Sequence, residues 1–128
     1  MKIDSYKDLL IWQKAHQLVK DVFKLIKGVK KDFISWEIIK QLIKSVTSIP
    51  ANIVEGYYSH QGKSFASHLE IARGSAGETD YWLFELCDNG YITKKQYQKI
   101  SQDCFELIKM LSTFINRLRS KNKIRKQK

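Results

Sequence analysis

Proline and glycine are scarce in this sequence, with one proline, Pro50, and six glycines in 128 residues. Folds built from many short strands need turn residues at close intervals, so the scarcity argues against an all-β protein. Long apolar runs are missing as well. No stretch approaches the roughly 18 consecutive apolar residues of a transmembrane helix, and no membrane association is expected. Met1 to Tyr6 lacks the apolar core of a signal peptide, which predicts a cytoplasmic location. The two cysteines, Cys87 and Cys104, have no metal-like spacing. If the chain reverses near Gly90, Cys104 lies about 13 Å deeper along the axis than Cys87, at ~1.5 Å per residue, too far for a disulfide. Both are expected to be buried free thiols. Acid is the remaining shortage, with 13 acidic residues against 23 basic ones and a net charge of +10.

What the sequence does contain is helical spacing. The first stretch sets Leu9, Trp12, His16, Val19, Phe23 and Ile26 at alternating steps of three and four, and the second sets Ile39, Leu42, Val46, Ile49 and Ile53 likewise. The third gives Phe65, Leu69, Ala72, Ala76, Thr79, Leu83 and Leu86, and the fourth Tyr97, Ile100, Cys104, Leu107, Leu111, Phe114 and Leu118. A mean period of 3.5 favours the shallow left-handed crossings of helix bundles. Gly28 to Asp32, Ser59 to Gly62 and Asp88-Asn89-Gly90 separate the stretches, with Ser35 and Thr93 as candidate N-caps. Connections this short make successive helices antiparallel neighbours. The expected architecture is an all-α, up-down-up-down four-helix bundle over residues 1–118, followed by a basic C-terminal tail, 119–128. Pro50 falls inside the second helix and removes the bond to the Val46 carbonyl, so a kink there is expected in preference to a break near Ser48, because the apolar seam stays in phase.

The charge is unevenly placed. Residues 1–30 carry seven lysines against three acids, whereas 61–90 carry five acids against two bases. The last twelve residues hold Arg117, Arg119, Lys121, Lys123, Arg125, Lys126 and Lys128 without an acid. Such a segment attracts polyanions, although a charged tail can equally be only solvated. Lys14, Lys20, Lys24 and Lys27 on the first helix, Lys44 on the second, and Lys94, Lys95 and Lys99 at the start of the fourth complete the candidate nucleic-acid surface. No sequence-reading motif accompanies them, so the contacts charge supports are to phosphates, salt-sensitive and weakly specific.

Helix one carries a second apolar row, Ile11, Ala15, Leu18, Val22, Leu25 and Val29, displaced roughly 110° from the first at ~100° per residue. Both rows could serve the core of one chain. A soluble monomer rarely exposes so long a stripe, and Ile11, Ala15, Leu18, Val22 and Leu25 are assigned to a subunit interface.

At the polar interruptions the residues become recognisable. Ser48-Ile49-Pro50-Ala51-Asn52-Ile53-Val54-Glu55-Gly56 resembles the signature of the bacterial 23S rRNA intervening-sequence proteins, a four-helix-bundle family. Leu10-Ile11-Trp12-Gln13-Lys14-Ala15 is similar to the family's opening helix. Phe65 with Leu69-Glu70-Ile71-Ala72-Arg73-Gly74-Ser75-Ala76-Gly77-Glu78 resembles its third helix, and Gly90-Tyr91-Ile92 its third turn. The likeness spans about residues 5–118. It implies a homo-oligomer, typically a pentameric ring, with no known catalysis. Some members are encoded within intervening sequences of 23S rRNA genes. A related branch is the basic accessory subunit of a reverse transcriptase in diversity-generating retroelements. Ile43-Lys44 stands where the family often has two arginines, so if that pair contacts phosphate in relatives, only one charge is kept here and the bidentate contact is lost.

Ser48, Asn52 and Glu55 on helix two face Ser75 and Glu78 on helix three across small residues, and antiparallel pairing about residue 60 or 61 brings Lys44 level with Glu78. These six are expected to form a polar network that fixes helix register, with a Lys44–Glu78 contact. Neither a metal nor another cofactor is expected: His16, His60 and His68 have no acidic residue three before them, so the Glu-x-x-His pair of di-iron bundles is absent. His16 is expected to be a satisfied core or interface histidine. Gly74 and Gly77 lie within a helix rather than a phosphate loop, and no Ser–His–acid pattern stands out, so an enzyme is not expected. Two functional classes follow: an oligomeric nucleic-acid-binding accessory protein, or a scaffold whose ring recruits a partner protein with its charge incidental. Tyr57 and Tyr58 could stack on bases or pack at the bundle end.

Overall fold

The spacing is realised as four helices: α1 (Leu10–Lys27), α2 (Phe33–Tyr58), α3 (Gly62–Asp88) and α4 (Lys94–Gln127), preceded by a 3-10 turn at Tyr6–Asp8. The computed structural model describes residues 2–59 and 62–127, apart from the side chains of 62, 63 and 122–127, and these residues contain no strand. His60 and Gln61, between α2 and α3, lie outside the described residues. Helix α2 packs on α3, α3 on α4, and α1 on both α2 and α4, so α1 and α3 stand diagonally opposite. Cross-links of opposite register make neighbours antiparallel. Ser45 meets Thr79, Ser48 meets Ser75 and Asn52 meets His68 between α2 and α3. Between α3 and α4, Asp80 meets Ser101 and Arg73 meets Ser112.

The seams of α2, α3 and α4 form most of the core as their spacing predicts, although Phe65, Tyr97, Phe114 and Leu118 are only half-buried and Ile115, outside the expected α4 row, is fully buried. Ile39, Leu42, Val46, Ile49 and Ile53 are fully buried, as are Leu69, Ala72, Ala76, Leu83, Leu86, Leu107 and Leu111. Each large aliphatic side chain buried in this way contributes about 1.5–3 kcal/mol. Helix α1 departs from expectation. Ile11, Ala15, Leu18 and Val22, assigned to a subunit interface, are core residues of the single chain, with Leu25 packed against them. Trp12, His16 and Val19 of the other row are half-buried, and Phe23 is exposed. The physical reason is that α1 touches α2 on one side and α4 on the other. Its core line therefore bisects those contacts and lies opposite the polar arc of Gln13, Gln17, Lys20 and Lys24.

Local signals fix the helix ends. Asp32, not Ser35, caps α2: its carboxylate accepts from the Ile34 and Ser35 amides at 3.0 and 2.9 Å. Ser35 sits at the third position and accepts from the Asp32 amide at 2.8 Å, closing a reciprocal capping box. The Tyr91 hydroxyl also donates to Asp32, tying the α3–α4 connection to the start of α2. Hydrogen bonds from the Ser35 backbone and from Tyr91 hold the Asp32 carboxyl below its ordinary range. Thr93 caps α4 as expected, accepting from the Gln96 amide, while Gln96 accepts from the Thr93 amide. Gly90 adopts φ 81, a left-handed conformation that ends α3. Pro50 lies inside α2, which continues through it to Tyr58 rather than breaking near Ser48.

The thiols differ in environment. Cys104 is fully buried and free, and burial pushes its pKa up to about 12, whereas Cys87 is free but only half-buried. At neutral pH the folded protein is expected to react with one equivalent of a thiol reagent, at Cys87, and with two after denaturation. Rapid labelling of both native thiols would contradict this burial.

Candidate nucleic-acid interface

The cations separate into paired and unpaired groups. Lys14 donates to Glu106 at 2.8 Å and to Asp103 at 3.2 Å, linking α1 to α4. Its hydrogen bond to Glu106 holds its pKa above the ordinary lysine value and holds Glu106 below the ordinary carboxylate one. Lys14 is therefore a neutralised structural contact rather than the free cation the sequence suggested. Arg119 is likewise committed, to Glu70 on α3. Lys31 donates to the Ile26 and Val29 carbonyls at the end of α1.

Lys20, Lys24, Lys27, Lys94, Lys95 and Lys99 are all exposed and take part in none of the ion pairs among the described residues. The antiparallel pairing of α1 and α4 brings the C-terminal half of α1 beside the first turns of α4. Lys24 and Lys99 share a shallow groove floored by Leu25 and Ile100, with Asp21 and Asp103 on its walls. Lys94 and Lys95 occupy the first turn of α4, which contains no acid. The helix dipole is already positive there, so two cations in that turn oppose the helix's own electrostatics while strengthening its attraction for an anion. Lys44 stands apart, exposed on α2.

The basic segment after Leu118 does not form a separate unit, because α4 runs through it to Gln127. Phe65 at the start of α3 meets Phe114, with ring centroids 5.3 Å apart, so the last turns of α4 extend past α3. Arg117 and Lys121 are exposed near that end, and Arg117 lines a groove with Leu10 and Phe114. Lys123, Arg125 and Lys126 belong to α4, but their side chains, and all of Lys128, lie outside the described residues. Tyr57 and Tyr58 pack edge-to-face, and Tyr58 also meets Tyr6, at the bundle end.

A polar network does join α2 to α3, with a different membership from the one expected. The Ser75 hydroxyl donates to Ser48 at 3.0 Å, and the Asn52 amide donates to the same hydroxyl at 3.0 Å. His68 Nδ1 lies 3.3 Å from Asn52 Oδ1 and 3.5 Å from Glu55 Oε2. Deeper in, the Thr79 hydroxyl donates to Ser45 at 3.0 Å, with both side chains buried. The expected Lys44–Glu78 contact is not among the ion pairs of the described residues. Glu78 accepts instead from Trp82 Nε1 at 3.1 Å. Sharing a level does not mean sharing a face: one step along a helix turns the side chain by ~100°, and it is Ser45, next to Lys44, that points at α3. Ser45, Thr79 and His68 were missed, yet continuing the steps of three and four back from Ser48 and on from Ser75 reaches Ser45 and Thr79. Among the described residues no group of three or more His, Cys, Asp or Glu side chains is placed to hold a metal ion.

The 23S rRNA-intervening sequence protein family matches residues 7–113, most of the bundle. The chain belongs to that family. A crystal structure from Bacteroides thetaiotaomicron, described as a protein with unknown function from the S23 ribosomal protein family, is similar at 34% identity with a TM-score of 0.76. The likeness covers 83% of this chain and 98% of that one. No curated protein matches the chain. Within this intervening-sequence family, the polar seam between α2 and α3 falls on the residues that carried the family resemblance, and the unpaired lysines fall on α1 and α4. No helix among the described residues is long and apolar enough to cross a membrane.

Proposed function

We propose that this intervening-sequence family member is a non-catalytic, cytoplasmic, homo-oligomeric accessory protein that binds nucleic acid through phosphate-backbone contacts. Ribosomal RNA or the RNA or DNA of a retroelement is the target class, and a reverse transcriptase is the kind of partner protein the family resemblance suggests. The observation that carries the reading is the gathering of Lys24, Lys27, Lys94, Lys95 and Lys99 at one end of the bundle, outside the ion pairs of the described residues. Unpaired lysines placed against a positive helix end are poor structural choices and good phosphate contacts. Assembly, as a ring of five by family resemblance, repeats the patch and converts weak sites into avid binding.

RNA binding measured across a salt series, on the full chain and on a chain ending at Leu118, is the test. Binding is expected at low salt, falling steeply as salt rises, with a substantial part surviving truncation because the lysine cluster lies within the bundle. No binding of either chain at low salt would remove the proposal. Sedimentation tests the oligomer, and a 15.0 kDa species at high concentration would refute it.

A further inference from the structure

Aromatic rings gather at the end of the bundle where α1 and α3 begin and α2 stops. Tyr6 meets Trp12 and Tyr58 edge to face, with ring centroids 5.2 and 6.2 Å apart, and Tyr58 meets Tyr57 at 5.2 Å. Tyr6, Trp12 and Tyr57 are half-buried and pack against the core. Tyr58, the last residue of α2, is 60% exposed. A ring so open to water adds little to the stability of one chain. Its two ring neighbours nonetheless hold it in place, so most of its surface is presented ready-made to something outside.

The free charge at this end is positive. Lys7 is exposed, and its Nζ lies 5.9 Å from the centroid of the Tyr6 ring. Arg117 lines a groove with Asp8, the last residue of the turn that carries Tyr6 and Lys7, and Lys121 follows one turn further along α4. Lys7, Arg117 and Lys121 take part in none of the ion pairs among the described residues. The acids nearby are engaged. The Asp8 carboxylate accepts from the Asp4 and Ser5 amides, Asp4 pairs with Lys2 at 4.0 Å, and Glu55 faces His68 at 3.5 Å. The lysine cluster around Lys27 and Lys94 lies at the other end of α1, whose 18 residues span about 27 Å.

We infer that this end is a stacking platform on which Tyr58 holds an unpaired base while Lys7 and Arg117 contact the phosphates beside it, so that the protein binds single-stranded RNA in preference to duplex. The inference rests on the proposed nucleic-acid binding and names the form of nucleic acid taken. Every base has a flat π face, so one exposed ring accepts any of them. In a duplex those faces are covered by neighbouring pairs, whereas loops and single strands leave them open. The lysine cluster serves both forms through phosphate, and the aromatic end adds affinity only for the unpaired one.

Binding of polyuridine and of a long RNA duplex across a salt series, by the native chain, Tyr58→Leu and Tyr58→Phe, tests this. Tyr58→Leu is expected to weaken polyuridine binding at least about fivefold, the loss of one base–aromatic stack, with duplex binding unchanged. Its salt slope is expected to stay that of the native chain, because no cation is removed. Tyr58→Phe keeps the ring and is expected to bind as the native chain does. Tyr58 is exposed at a helix end, so helix content by circular dichroism should match in all three proteins. Polyuridine affinity untouched in Tyr58→Leu, equal losses for both RNAs, or a Tyr58→Phe as weak as Tyr58→Leu would overturn the inference while leaving phosphate binding in place. A native chain that binds neither RNA at low salt would instead bring down the nucleic-acid reading itself, and this inference with it.

Discussion

Changing Lys24, Lys27, Lys94, Lys95 and Lys99 to glutamate is expected to abolish RNA binding at moderate salt without unfolding the bundle. All five are exposed and outside the ion pairs of the described residues, so the substitutions break no such pair. Each phosphate contact contributes roughly 0.7–0.9 to the log–log salt slope, so five contacts correspond to a slope of about −4. Over a fourfold rise in salt that slope amounts to a loss of more than about a hundredfold in affinity. The substitutions also lower the net charge from +10 by two per site, to zero, removing the long-range attraction. Filter binding at low and moderate salt reads the effect. Lys14→Ala serves as the control, since Lys14 is already neutralised by Glu106 and Asp103 and its loss should leave the slope unchanged. Affinity and slope both unaltered in the five-site variant would place the interface elsewhere.

Gly56→Leu is expected to destabilise the bundle at the α2–α3 crossing. Gly56 is buried where α2 crosses α3, and a Cβ there would lie 2.6 Å from Phe65 Cδ1 and 3.0 Å from His68 Cβ. Overpacking of a close-packed site typically costs about 1–3 kcal/mol. Leucine is the better helix former by about 1 kcal/mol, so propensity acts against the loss and any net destabilisation reports the crossing itself. Chemical denaturation should show a net fall of up to about 2 kcal/mol. A variant as stable as the native chain would mean that α2 and α3 can part at Gly56 with little penalty.

Both predictions draw on features that the sequence exposes unequally. The four helices, their breaks and three of the four core seams were legible, because long amphipathic stretches bounded by Gly28, Gly90 and a capping threonine leave few alternatives. The core side of α1 was harder to see. Its two apolar rows are equally long, and spacing alone cannot rank them. The centre of its polar arc, opposite Ile11, Ala15 and Val22, carries that information. The N-cap of α2 was misplaced by three residues because Asp32 and Ser35 cap each other, and either can look like the first partner. At the candidate site, the lysines could be counted in sequence, but their pairing could not. Lys14 and Arg119 are neutralised by acids 89 and 49 positions away in the chain, which only the packing of α4 against α1 and α3 brings near.

The hydroxyl and amide ladder between α2 and α3 also bears on how the chain finds its alignment. Greasy seams with a repeating step tolerate sliding by one turn, since one leucine serves nearly as well as the next. Sliding α3 along α2 would break the Thr79–Ser45 and Ser75–Ser48 bonds that join the two helices, leaving Thr79 and Ser45 only their bonds to the Ser75 and Leu42 carbonyls of their own helices. This pair of helices acts as a vernier for the whole molecule: once its marks coincide, the shorter α1 and the longer α4 have only one setting in which to dock.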